Sequence, residues 1–144
     1  DGVYDLCHIG HKRAFQNSLA LGNRLFVGVV GDDDASKYKR PPVMSHAERC
    51  AEVEACKSVT KVIQNAPCFG LTQEFLDEHQ IHVVAFGEEY LTKYPNPADD
   101  PYYSLPRQQG IAYPLPRTNS LSTSDLIRRI QEIDSAALAK KSPT

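Results

Sequence analysis

The chain opens Asp1-Gly2-Val3-Tyr4-Asp5-Leu6-Cys7-His8-Ile9-Gly10-His11, and far downstream it reads Arg117-Thr118-Asn119-Ser120-Leu121-Ser122-Thr123-Ser124-Asp125. The first stretch sets two imidazoles around a glycine where a strand should give way to a helix. The second supplies an arginine and a run of hydroxyls at the opening of another helix. Both are ways of holding phosphate, because a helix amino end presents unpaired N–H groups and a partial positive charge. Residues Lys12 to Leu21 carry Ala14, Leu19 and Leu21, with Phe15 on the adjoining face, so an amphipathic helix ending near Gly22 is predicted. Histidines at i and i+3 share one face of a helical turn, and both can donate to one polyphosphate. Gly10 lets the backbone approach closely.

Other uses of these residues are weaker. The His-x-x-His spacing could hold zinc, but a metal site needs further ligands. Cys7 is adjacent, yet Cys50, Cys56 and Cys68 show no Cys-x-x-Cys spacing, so no protein-held metal is expected. Nothing assigns a base to any cysteine, which argues against a thiol nucleophile.

A chain of 144 residues, 41% hydrophobic and 24% charged, fits one α/β domain. We expect that domain over residues 1–139, with 140–144 a solvated tail. A net charge of −2 and a pI of about 6.2 argue against a general nucleic-acid surface. The cysteines form no disulfide framework, there is no secretory signal, and no apolar run approaches the roughly 18 residues of a membrane span. The expected setting is therefore cytoplasmic, with peripheral membrane or nuclear placement as the alternatives and membrane contact only through segments outside this sequence. Asp1-Gly2 reads as the turn after a strand, so a first strand is expected upstream.

Strand and helix then alternate. Leu25 to Val30 is an apolar, β-branched run suited to a buried parallel strand, ended by Asp32-Asp33-Asp34. Ser45 and Glu48 form a capping-box pattern ahead of a helix from Ala47 to Cys56. Val59 to Ile63 is the next strand, closed by Asn65-Ala66-Pro67. A helix from Thr72 through His79 leads to a strand at Ile81 to Phe86. Between Gly87 and Pro116 stand Pro95, Pro97, Pro101, Pro106 and Pro114 with several tyrosines, a composition that reads as an ordered active-site loop. Ser122, Thr123 or Ser124 can cap a last helix from Asp125 to about Ala139.

In this order, the opening motif, Lys39, Val43-Met44, Glu48-Arg49, Asn65-Ala66-Pro67, Phe75-Leu76, Glu78-His79, Arg117-Thr118 and Ser122-Thr123-Ser124-Asp125 closely resemble the catalytic domain of the CTP:phosphocholine cytidylyltransferases and their phosphoethanolamine relatives. The resemblance covers almost the whole chain. It implies a Rossmann-like nucleotidyltransferase fold with a parallel sheet flanked by helices, usually dimeric, binding CTP and a phosphorylated amino alcohol. It implies catalytic roles for His8, His11, Lys39 and Arg117. Nucleotide contacts carry over to Val3, Tyr4, His11, Lys39, Arg117, Thr118, Leu121, Ser122 and Thr123, and acceptor contacts to Asp1 and Lys39. Mg²⁺ would travel with the CTP phosphates as cofactor. A homodimer is the expected partner state, and nucleic acid is not expected.

The chain departs from the family pattern at four places. Ser120 and Arg40 stand where glycine is usual, and Phe86-Gly87 replaces an aromatic, histidine-bearing stretch. Cys68-Phe69 follows Asn-Ala-Pro where the phosphocholine enzymes usually carry tryptophan, and this chain has no Trp. A quaternary ammonium is held over aromatic faces, so Phe69 and Tyr90 are the substitutes considered. Phosphocholine is the favoured acceptor. Phosphoethanolamine is the alternative, as is a catalytically silent homologue that binds nucleotide. A class I aminoacyl-tRNA synthetase shares His-Ile-Gly-His but would need a Lys-rich second motif; an adenylyltransferase of the same fold is a nearer rival.

Overall fold

A computed structural model describes residues 1–117 and 121–141. The helix α1 runs Ile9–Leu19, so His8 is its N-cap and His11 lies in its first turn. It starts three residues before the predicted Lys12, because the His8 side chain itself caps the helix, and it stops short of Leu21. Strand β1 (Phe26–Val30) falls where the apolar run placed it. Asp32-Asp33-Asp34 do more than end that strand. They form the first turn of α2 (Asp32–Tyr38), where three carboxylates meet the positive end of the helix.

Ser45 caps α3 (His46–Glu54): its Oγ accepts from Glu48 N at 3.2 Å and donates to Glu48 Oε1 at 2.9 Å, the predicted box closed by side chains. Strand β2 is Lys61–Ala66, shifted towards the Asn65-Ala66-Pro67 phrase expected to close it. Helix α4 is Gln73–Glu78, capped by Thr72, and strand β3 is Val84–Gly87. The structure overturns the reading of residues 87–116 as a loop. They hold α5 (Glu89–Lys93), a 3-10 turn at Pro97–Asp99, α6 (Ser104–Gln108) and β4 (Ala112–Leu115). Pro114 brings no N–H to a strand ladder. It is tolerated because β4 pairs with β3 alone among the described strands, so a missing N–H can face away from the ladder. Helix α7 spans Thr123–Lys141, starting two residues early and absorbing Lys140 and Lys141 from the expected tail.

Every described strand pairing is parallel, as expected. β1 pairs with β2 and β3 with β4, while Gly2 forms a bridge to Val29 on the other side of β1. Phe15 from α1 and Cys50 and Val53 from α3 bury one cluster against Val27 and Val29. Leu71, Leu76, Val84, Phe86 and Tyr103 form a second around β3. Phe86 is thus a core residue, and its departure from the family pattern is a change of packing. Between the two strand pairs runs a cavity of about 740 Å³ with Phe26, Val84 and Phe86 in its walls. Of the predicted site residues, Asp1, Tyr4 and Arg117 line it, and His8 and His11 do not.

Candidate active site

The two imidazoles close α1 reciprocally. Gly10 N donates to His8 Nδ1 at 3.0 Å, and His8 N donates to His11 Nδ1 at 3.3 Å. The rings stack with centroids 3.9 Å apart and planes 25° from parallel. Since each Nδ1 accepts from a backbone N–H, the hydrogen-bond network assigns the proton of each neutral ring to Nε2. Neither Nε2 has a hydrogen-bond partner among the described residues. Protonating either ring would set a new N–H against the N–H it now receives. Burial lowers the His8 pKa, with Asp125 opposing it. Burial and then the neighbouring His8 lower that of His11 to about 4, with Asp5 opposing. The pair is therefore two neutral N–H donors near pH 7.

A stability prediction follows from that shift. His11 stays neutral in the folded chain down to about pH 4, while an unfolded histidine takes up its proton near 6.5. The unfolded state therefore binds more protons between those values, so stability falls as pH drops from 6.5 towards 4. His11→Gln should flatten this part of a melting-temperature profile. The Asp5 carboxyl, itself held low, loses its contribution only below its ordinary value of 3.8.

Tyr4 stands beside the pair, its ring edge-on to His11 at 5.4 Å and to Phe15 at 5.0 Å. Its φ of 54° is left-handed, a strained state for a tyrosine. Gly2 makes room for it, since a Cβ there would lie 2.8 Å from Tyr4 Cζ. The Val3 carbonyl accepts from Arg49 Nη1 at 2.8 Å.

Folding brings the second phrase to the first. Thr123 Oγ1 donates to the Asp5 carbonyl at 3.1 Å across 118 residues. Ser122 caps α7, its N and Oγ both donating to Asp125 Oδ2 while Asp125 N donates back to its Oγ. These bonds, ahead of the Arg128 contact, hold the Asp125 carboxyl below its usual range. Leu121 is half-buried. Thr118 and Ser120 lie outside the described residues. Arg117 is exposed at the end of β4, where its N donates to Glu88 Oε1 at 3.0 Å.

Lys39 is exposed at the C-cap of α2, with Tyr38 immediately before it. Tyr38 belongs to an aromatic group that sequence reasoning only half found. Its hydroxyl lies 3.1 Å from that of Tyr90, and Tyr102 meets Tyr38, Phe69, Tyr90 and Tyr94 within 5.4–6.3 Å. Phe69 and Tyr90, named separately from the sequence, thus share Tyr102 as a neighbour. The missed members are Tyr38, Tyr94 and Tyr102; the density of tyrosines after Gly87 was the available signal for the last two, and Tyr38 had none. Asp1 Oδ1 is the one buried side-chain oxygen without a partner among the described residues. No group of three or more His, Cys, Asp and Glu side chains among those residues could hold a metal ion. No described helix is long and apolar enough to cross a membrane.

The Thr123–Asp5 bond ties the opening of α7 to that of α1, which a stacked pair of neutral imidazoles caps, all on an α/β framework with parallel strands. The chain belongs to the cytidylyltransferase-like family, whose model matches residues 1–129. It is 39% identical over 132 residues to choline-phosphate cytidylyltransferase A of Rattus norvegicus, covering 90% of this chain and 35% of that protein. It is 36% identical over 132 residues to the ethanolamine-phosphate cytidylyltransferase of Dictyostelium discoideum, covering 90% of this chain and 36% of that protein. The chain therefore spans about a third of the length of these relatives. Among solved structures, the lipopolysaccharide core biosynthesis protein from Thermoplasma volcanium GSS1 shares the fold, with a TM-score of 0.58 at 22% identity, covering 84% of this chain and 93% of that one.

Proposed function

We propose that this domain transfers CMP from CTP to a phosphorylated amino alcohol, releasing pyrophosphate. The carrying observation is the stacked His8 and His11 pair, whose Nδ1 atoms are tied to backbone and whose Nε2–H groups remain to donate. An acceptor phosphate oxygen attacks the α-phosphorus in line; the new P–O bond forms as the bond to the β-phosphate oxygen breaks. That phosphate is already ionised near neutral pH, so no strong base is required and catalysis is positioning and charge stabilisation. His8 and His11 donate to the α-phosphate and bridging oxygens, and Lys39 and Arg117 offset the growing charge. Val3, Tyr4, Leu121, Ser122, Thr123 and Thr118 complete the nucleotide contacts. The chain's donors are mostly N–H groups and cations, which do not suit a metal. Mg²⁺ accordingly belongs with the triphosphate, and the chain's own residues carry the steps.

Phosphocholine is the acceptor we favour. The support is the group of Phe69, Tyr102, Tyr90 and Tyr38 beside Lys39, which offers aromatic faces to a trimethylammonium although the chain has no tryptophan. The unpartnered Asp1 Oδ1 favours the second reading, phosphoethanolamine, because a primary ammonium can donate to it. Pyrophosphate release from CTP and from ATP, with phosphocholine, phosphoethanolamine and glycerol phosphate in turn, tests nucleotide and acceptor together. ATP in place of CTP, or no release with any acceptor, would overturn the proposal. A desolvated cation–π contact is worth up to about 2 kcal/mol, roughly thirtyfold in binding. Phe69→Ala or Tyr90→Ala should therefore raise the phosphocholine KM by up to about that factor and leave phosphoethanolamine nearly unchanged. Equal effects on both acceptors, with wild type preferring phosphoethanolamine, would replace choline by ethanolamine.

A further inference from the structure

Asp5 lies three residues before His8 and is 4% exposed. Its Oδ2 accepts from Val43 N at 2.8 Å and from Arg40 Nη1 at 3.2 Å, and its Oδ1 accepts from Met44 N at 2.9 Å. One carboxylate thus pins both ends of residues 40–44 to the histidine motif. Burial alone would push the Asp5 pKa up; the two backbone N–H groups and then Arg40 bring it below the ordinary value. Of the three donors only Arg40 is a side chain, and it follows Lys39 directly. On the other side, Lys39 N donates to Ala35 O at 3.2 Å and ends α2. Pro41 and Pro42 stiffen the chain beyond. The backbone of Lys39 is therefore fixed from both flanks, and its side chain is what remains to move.

We propose that Arg40 is a positioning residue for Lys39: its ion pair with Asp5 holds Lys39 beside the histidine motif before nucleotide arrives. This rests on the reading that Lys39 meets the phosphates. It also gives a purpose to Arg40, which stands where the resemblance leads one to expect glycine. A flexible glycine would leave Lys39 to be ordered on binding, and ordering costs affinity. The pin removes that cost from the binding step without touching the reacting atoms, so it acts on KM for CTP and spares kcat.

Arg40 is about a third exposed, which limits the effect. Arg40→Gly should raise the CTP KM about fivefold, as loss of a partly exposed ion pair allows, with kcat within about twofold. Arg40→Lys, which keeps the charge, should recover most of the difference. Without CTP, chymotrypsin should cut after Tyr38 faster in Arg40→Gly than in wild type, while loss of one partly exposed ion pair should lower the melting temperature by no more than a few degrees. Lys39→Ala is measured alongside. If Lys39→Ala lowers turnover while Arg40→Gly changes neither CTP KM nor cleavage at Tyr38, the pin is wrong and the role of Lys39 stands. A fall in kcat with KM unchanged in Arg40→Gly would likewise overturn it. If Lys39→Ala changes neither kcat nor KM, the reading of Lys39 fails and the pin fails with it.

Discussion

Replacing His8 or His11 by alanine is expected to lower kcat on the order of a hundredfold or more, because in the proposed mechanism each donates to charge that grows in the transition state. The structure adds a complication at His8. That side chain is the N-cap of α1, accepting from Gly10 N, and loss of a cap costs about 0.5–2 kcal/mol. His8→Ala should therefore lower the melting temperature as well as the rate. Asparagine is among the best N-caps, yet it has no group in the place of Nε2–H. His8→Asn should keep most of the stability and still lose the rate. His11→Ala removes the reciprocal bond from His8 N and should show both losses. Steady-state rates at saturating CTP, read with thermal melts of the same samples, separate the two effects. Normal turnover in His8→Asn would reduce the histidine to a cap and remove it from the mechanism.

The capping role was not legible as such, although the spacing that placed both rings on one face was. Periodicity marks where a helix buries its stripe, yet the buried residue of α1 is Phe15, from the face adjoining the predicted Ala14, Leu19 and Leu21, and Leu21 lies exposed beyond the helix. A cap is read from residue type. Histidine is not a usual one, so residue type points to a start at Lys12, past the motif. At α3 and α7, where serine does the capping, the ends were found within two residues. The segment from Gly87 to Pro116 failed for a different reason. Proline argues against strand and helix through the hydrogen bond it removes, but an edge strand has one side that needs none, and Pro114 sits in β4 accordingly. The proposed site residues rest on local chemistry, imidazoles at one helix opening and hydroxyls at another. Asp5 stands in the opening motif, but its donors lie 35 to 39 residues away, and no spacing announces them or the contact of Tyr38 with Tyr102.

Arg49, quoted with Glu48 in the resemblance but given no role there, also acts by tertiary contact and carries the largest expected effect on stability. Arginine is almost never fully buried without partners, and this one is 0% exposed. Its Nη1 donates to Val3 O and Val30 O, both at 2.8 Å, its Nε to Met44 O at 3.2 Å, and its Nη2 to Asp32 Oδ1 at 2.7 Å. One planar group therefore ties the turn bearing Tyr4, the end of β1, the start of α2 and the segment before α3. The Asp32 partner is 54% exposed, so its charge can be resolvated when the arginine is lost. The carbonyls are the greater liability, because each acceptor left buried and unpaired costs about 1–3 kcal/mol. Arg49→Met fills the volume without the bonds and should cost about 3 kcal/mol or more, lowering the urea midpoint and the melting temperature by about 10 °C. Arg49→Lys keeps the charge but cannot span four acceptors with one ammonium, and should recover only part of the loss. Because Val3 and Tyr4 are displaced from His11 when the tie is cut, activity at a temperature where Arg49→Lys is still folded should also fall. An unchanged urea midpoint in Arg49→Met would mean that these carbonyls find other partners and that the framework does not depend on this residue.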